Sequence, residues 1–362
     1  MGANRSENCV LGMIRFSALF RMEGLNPPRP HRDGGNAKAK LPEIMISFTS
    51  RRSPDRPITR LVAFTVCVLA LVTLARPVSA CDEHRSHQPR PEFSELYVFG
   101  DSLSDTGRFF AATGYPPAPY YQGRFSNGPV WVEYLAPQLG MKYNPATNFA
   151  WAGSTTGLTN NNGPFPGLLA QFNAYVATLG HRPRVDPHAL YVVFGGGNDF
   201  FTLSDGVDPA AMIDQATRNI VTIVSRLQQL GAKNILVIDL PDIGLTPYGA
   251  PNAGVATYLS AQFNDLLDAR LEAAGCRDLI RVSLFDLLNA LVADPAAYGF
   301  TNVTIPGILN PATASTYLFW DDVHPTTLTH SILADVIAAA IEENEPEHGP
   351  RHHDRKPVCA HR

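Results

Sequence analysis

Leu96-Tyr97-Val98-Phe99-Gly100-Asp101-Ser102 is the stretch on which the reading of this chain turns. Leu96 to Gly100 is a short run with no polar alternation, the pattern of a strand buried on both faces. Gly100-Asp101-Ser102 then reads as a tight turn at the strand's carboxyl end, the edge of an open α/β sheet outside which ligands bind. A second apolar run, Ala189 to Phe194, leads in the same way into Gly196-Gly197-Asn198-Asp199. Far downstream, Asp321-Asp322-Val323-His324-Pro325 sets an acid three residues before a histidine. A hydroxyl nucleophile, a base with an orienting acid and an amide donor are the parts an acyl-transfer site requires.

The segments between these runs alternate as a parallel sheet demands. Pro209 to Leu230 is predicted as a long helix, with Met212, Ala216, Ile220, Ile223 and Leu227 on one apolar face and Gly231 closing it. Asn234 to Leu240 reads as a strand, Ala253 to Ala273 as a helix before Gly275, Leu279 to Leu284 as a further strand, and Thr326 to Glu343 as a last helix. Apolar β-branched runs separated by helices imply a sheet covered on both faces.

Of the 362 residues, 45% are hydrophobic and 17% charged, ample for a core. A formal net charge of −4, with no basic run interleaved with aromatics in the globular part, excludes a dedicated nucleic-acid binder. The expected organisation is a leader or upstream extension over 1–44, an export signal over 45–80, a linker over 81–94, the globular domain over 95–343 and a His-rich, charged tail over 344–362. The signal is read from Arg51, Arg52, Arg56 and Arg60 ahead of the apolar stretch Leu61 to Leu74, ending in Val78-Ser79-Ala80. That stretch is shorter than the ~20 residues a bilayer span needs. Export to the periplasm, the cell envelope or the medium is therefore expected. Val78-Ser79-Ala80-Cys81 also resembles a lipobox, so lipidation of Cys81, with membrane association, and simple cleavage after Ala80 are both open. Loss of the leader would leave Cys81, Cys276 and Cys359, enough for at most one bridge, and their spacing suggests no metal site.

Ser102 by itself would be an ordinary strand-end turn residue, and the Gly-x-Ser-x-Gly elbow of α/β-hydrolases is absent. The segment Phe99 to Gly107 instead resembles the first signature block of the GDSL, or SGNH, hydrolases. Asn148-Phe149-Ala150-Trp151-Ala152-Gly153-Ser154 is similar to the second block, Gly196 to Asp199 to the third, and Asp321 to Pro325 to the last. Tyr120-Tyr121-Gln122-Gly123-Arg124-Phe125-Ser126-Asn127-Gly128 resembles lipase-type members. The resemblance implies a three-layer α/β/α sandwich around a flavodoxin-like parallel sheet of about five strands. It implies a serine hydrolase cleaving carboxylic esters through an acyl-enzyme, with no metal or organic cofactor. Ser102 would be the nucleophile, His324 the base and Asp321 its orienting acid. The oxyanion donors would be the backbone N–H groups of Ser102 and Gly153 and the side-chain amide of Asn198.

Asp199 and Asp322 are expected to be structural, Asp199 by hydrogen-bonding its own turn. The aromatics Tyr115, Tyr120, Tyr121 and Phe125 either line an acyl site or pack beneath a lid. The expected substrate is a small acyl ester or lipid. Carbohydrate deacetylation, phospholipase or acyltransferase chemistry on the same site are the alternatives. From other classes stand a metallophosphoesterase, for which a downstream Gly-x-His pair is missing, and a non-catalytic binding protein.

Overall fold

The computed structural model describes residues 93–201, 203 and 208–344. The leader, the export signal, Cys81, Cys359 and the tail beyond 344 lie outside the described residues, so the readings placed on them stay as expectations.

Four parallel strands, β1 (Leu96–Gly100), β2 (Leu190–Phe194), β3 (Asn234–Ile238) and β4 (Leu279–Val282), lie side by side in chain order. Val98 pairs with Val192, Val192 with Leu236, and Leu236 with Ile280. Successive side chains of a strand point to opposite faces, and here both faces are covered. Val98, Val192, Leu236 and Ile280 join a core with Val132 and Leu135 of α2 (Trp131–Gln138), Leu288 of α7 (Leu284–Ala293) and Leu333 and Ile337 of α8 (Thr327–Glu343). Phe99, Tyr191, Val193, Ile235 and Val237 join the opposite core. Their partners there include Phe172 of α3 (Leu168–Thr178), Ile220 and Val224 of α5 (Pro209–Leu230), and Phe263 and Leu267 of α6 (Ala253–Ala273). This is the three-layer sandwich. Burying each such side chain contributes about 1.5–3 kcal/mol, which is why continuous apolar runs rather than alternating ones form these strands.

The expected fifth strand is reduced to a single parallel bridge, Val98 to Asn148, outside β1. The Val98 N–H donates to the Thr147 carbonyl at 3.1 Å, and the Phe149 N–H to the Val98 carbonyl at 2.8 Å. The Asn148 side chain then turns the chain away: its Nδ2 donates to the Ser104 carbonyl at 2.7 Å and its Oδ1 accepts from the Ala150 N–H at 3.0 Å. With this bridge counted, the spatial order is 2-1-3-4-5, the flavodoxin-like order.

Helices α5 and α6 run as expected; Asp208 caps α5 by accepting from the Ala210 N–H at 3.0 Å. Met212 is only partly buried, and Ile213 takes its place in the core. The strand expected to reach Leu240 stops at Ile238, and the one expected to reach Leu284 stops at Val282. Leu284 opens α7 instead. Asp239 Oδ1 accepts from the Leu284 and Phe285 N–H groups at 2.7 and 3.1 Å, and the Ser283 hydroxyl accepts from Asp286 N–H at 3.1 Å. Satisfied first-turn donors favour helix there over strand.

Candidate active site

Three loops at the carboxyl ends of the strands, and the segment before α8, converge. Ser102, directly after β1, is buried with 9% exposure. Its turn is closed by Ser104 and Asp105 N–H groups donating to the Asp101 carbonyl, both at 3.0 Å, and by Leu103 N–H donating to Asp101 Oδ1 at 3.0 Å. Ser102 Oγ lies 2.8 Å from His324 Nε2. His324 Nδ1 lies 2.8 Å from Oδ2 and 2.9 Å from Oδ1 of Asp321. Asp321 is fixed by the tight turn it caps: its Oδ1 accepts from the N–H groups of Val323 at 2.9 Å and His324 at 2.7 Å. Burial pushes the Asp321 carboxyl up, but His324 and these N–H donors outweigh it and hold it below the usual carboxylate range.

Asn198 lies in α4 (Gly197–Phe200), the single turn after β2, and its Nδ2 is 3.4 Å from Asp101 Oδ2. Gly153 sits in the loop after the Asn148 bridge at φ +83°, a left-handed conformation that favours glycine. A Cβ there would lie 2.3 Å from Asn162 Nδ2 and 2.7 Å from Asn160 Oδ1. Among the described residues, neither the Ser102 nor the Gly153 N–H has a protein acceptor, although both residues are buried. Backbone donors without an acceptor are uncommon in folded proteins, and these two are left available to a developing oxyanion.

Burial pushes the Asp101 carboxyl up to about 6 against the Leu103 N–H bond and the His324 charge, with Asp199 pushing the same way. Asp199 bonds its own turn as expected, its N–H donating to the Gly196 carbonyl at 3.1 Å, and its carboxylate reaches beyond that turn. It accepts from the Thr156 N–H at 2.9 Å and hydroxyl at 2.7 Å, joining the loops of Asn198 and Gly153, and burial pushes it up to about 6. Asp322 accepts through its backbone carbonyl from the Tyr248 N–H at 2.9 Å.

The Tyr120–Gly128 block has a role that the residues alone did not disclose: it clamps the histidine segment. The Tyr120 hydroxyl donates to Asp321 Oδ2 at 2.9 Å, and the Phe125 ring packs 4.9 Å from the His324 ring. The Ser126 hydroxyl donates to the Pro325 carbonyl at 2.9 Å, and Asn127 Oδ1 accepts from the Thr327 N–H at 2.8 Å. Gly128 abuts Thr327 so closely that a Cβ would lie 2.6 Å from its side chain. Arg124 anchors the block to α2 through Glu133 at 2.6 Å. Phe125 also belongs to an aromatic cluster with Phe109, Tyr115, Tyr120, Trp151 and Phe165, so the block both packs and borders the site.

Asp105 and Gln171 are further positioning groups that pattern reading missed. Asp105 accepts from the Gly107, Arg108 and Phe109 N–H groups at the start of α1 (Arg108–Thr113) and from the Ala152 N–H at 2.9 Å. An acid just before a helix start was the available signal. Buried Gln171 holds both backbone groups of Gly100, its Oε1 accepting from the Gly100 N–H at 3.0 Å and its Nε2 donating to the Gly100 carbonyl at 2.8 Å. Nothing local marks that glutamine. No group of three or more metal-ligating side chains is gathered among the described residues. Cys276 is a free thiol there, 3.3 Å from the Ser225 hydroxyl.

A family model described as GDSL-like Lipase/Acylhydrolase matches residues 96–337. The chain is 31% identical to the phosphatidylcholine-sterol acyltransferase of Aeromonas hydrophila, over 76% of this chain and 96% of that protein. It is 28% identical to the thermolabile hemolysin of Vibrio parahaemolyticus, over 67% of this chain and 63% of the relative. It is 32% identical to the esterase EstA of Pseudomonas aeruginosa, over 68% of this chain and 46% of the relative. The chain thus spans nearly the whole of the first relative, under two thirds of the second and under half of the third.

Proposed function

The chain belongs to the GDSL-like lipases and acylhydrolases, a family of carboxylic ester hydrolases, and from that premise we propose that it cleaves acyl esters with Ser102, His324 and Asp321 as its catalytic residues. The observation that carries this assignment is the 2.8 Å contact between Ser102 Oγ and His324 Nε2, with Asp321 behind the ring. Ser102 Oγ attacks the ester carbonyl carbon while His324 Nε2 takes the hydroxyl proton. The carbonyl oxygen becomes an oxyanion, met by the Ser102 and Gly153 N–H groups and the Asn198 amide. Collapse breaks the bond to the alcohol oxygen, which receives the proton from His324 and leaves as alcohol. Water then attacks the acyl-enzyme through the same base, releasing the carboxylic acid and restoring Ser102. Asp321, kept ionised by its surroundings, stabilises the imidazolium formed in each step.

The aromatic cluster beside His324 supports an apolar acyl chain as substrate. The signal-like pattern of residues 45–80 supports export, and with it an activity outside the cytoplasm. Hydrolysis of a p-nitrophenyl ester chain-length series by the full chain, beside Ser102→Ala and with EDTA, tests the reading. Activity lost in the variant, untouched by EDTA and extending beyond acetate is the expected result. Activity confined to acetate would favour a deacetylase. Activity that survives Ser102→Ala but dies with EDTA would overturn the serine mechanism.

A further inference from the structure

Two of the proposed oxyanion donors sit on separate loops, and a third segment, Asn160-Asn161-Asn162, touches both. Asn160 Nδ2 donates to the Ala152 carbonyl at 3.0 Å, and Asn162 Nδ2 donates to the same oxygen at 3.3 Å. That carbonyl and the Gly153 N–H belong to one planar peptide, so pinning the oxygen aims the N–H on the other side of the plane. Bonds accepted at the carbonyl also polarise the same amide and strengthen its N–H as a donor. Asn161 completes the bridge. Its backbone N–H donates to the Gly153 carbonyl at 2.9 Å, and its Nδ2 donates to the Asn198 carbonyl at 2.8 Å.

We propose that Asn160, Asn161 and Asn162 are positioning residues for ester hydrolysis: the outer two orient the Gly153 N–H, and Asn161 sets its spacing from Asn198. The inference rests on the oxyanion role given above to Gly153 and Asn198. The three side chains act through other groups and touch no reacting atom. A loop serving only its own folding would satisfy its amides within itself. This one directs all three side-chain amides onto the carbonyls of the two donor loops, helped by an internal bond from Asn162 N–H to Asn160 Oδ1 at 2.8 Å.

Asn161 allows a clean test because its side chain is exposed, so truncation opens no cavity. Kinetics on one p-nitrophenyl ester would be measured for Asn161→Ala, Asn198→Ala and the double variant, with thermal melting of each. The expected result is a kcat about tenfold lower for Asn161→Ala with KM within about twofold and an unchanged melt. In the Asn198→Ala background the same change should cost less than about twofold, since interacting residues are non-additive. Asn161→Asp, which keeps the size but faces the Asn198 carbonyl with an acceptor, should be at least as damaging as Ala. Equal losses in both backgrounds, no loss in the first, or a fully active Asn161→Asp would each overturn the positioning role and leave the oxyanion reading standing. A fully active Asn198→Ala would instead overturn the oxyanion reading on which the inference rests.

Discussion

The Tyr120 hydroxyl donates at 2.9 Å to Oδ2 of Asp321, the oxygen that also faces His324 Nδ1 at 2.8 Å. The two residues are 201 positions apart, so a loop near the first strand holds the acid that holds the base. Both Asp321 oxygens are thereby committed, one to the phenol and one to the N–H groups of its own turn. The ring of Tyr120 is itself fixed edge-on against Trp320, with centroids 5.9 Å apart. A hydrogen bond to a charged acceptor contributes about 1.5–3 kcal/mol. Tyr120→Phe, which keeps the ring packing, should lower kcat by at least about tenfold with KM nearly unchanged. A variant with wild-type steady-state kinetics would show that Asp321 needs no second anchor.

Gly153→Ala probes the donor loop from inside. The left-handed backbone costs an L-residue about 1–2 kcal/mol, and the new methyl would meet Asn162 and Asn160 at 2.3 and 2.7 Å. The loop must shift, and the N–H with it. A protein that still folds, melts a few degrees lower and has lost at least about tenfold in kcat is expected from combined melting and kinetic curves.

Asp239 gives stability a pH dependence of predictable sign. Burial pushes its carboxyl up to about 6, against the Phe285 N–H, the Ser283 hydroxyl and the Leu284 N–H. A group whose folded pKa lies above its unfolded value binds more protons in the folded state. Its stabilising share is complete below the ordinary carboxylate range and is lost as pH rises through about 6. Asp239→Asn should flatten that part of the stability curve between about pH 4 and pH 6. Urea midpoints measured across that window, for both proteins, provide the check.

His330 works in the opposite direction. It is 1% exposed in α8, and neither ring nitrogen finds a hydrogen-bond partner among the described residues. Burial, with the charge of His324 adding to it, pushes it down to about 3. The unfolded chain therefore binds the extra proton first, and stability falls as pH drops from the ordinary histidine range towards 3. His330→Leu should stabilise the protein at neutral pH by relieving unpaired polar atoms, and by more at pH 4.5. Equal melting shifts at both pH values would rule out the titration.

Much of this architecture can be read in the chain because its causes are local. Helix α5 is delimited by a capping Asp208, Pro209 and Gly231, and its buried face recurs every three to four residues. The strands stand out because both of their faces are covered. The boundary errors lie where two local signals overlap: Leu284 continues an apolar run yet also begins a helix whose first N–H groups Asp239 satisfies. Asn148 likewise sits in a strand-like setting, but its amide captures the neighbouring backbone and limits the fifth strand to one bridge.

The site divides along the same line. Local pattern alone discloses the four strands, the long helices α5, α6 and α8, the serine turn after β1, and the Asp321–His324 pair, whose spacing of three is enough to close one turn; the shorter helices α1, α2, α3 and α7 carry no signal of comparable length. Packing is what brings Tyr120 and Phe125 onto that pair, lets Asp199 and Asn161 join the two donor loops, and sets Asp105 against Ala152. Periodicity and capping report what a residue does within its own element. A contact between residues dozens or hundreds of positions apart exists only once packing has brought their elements together.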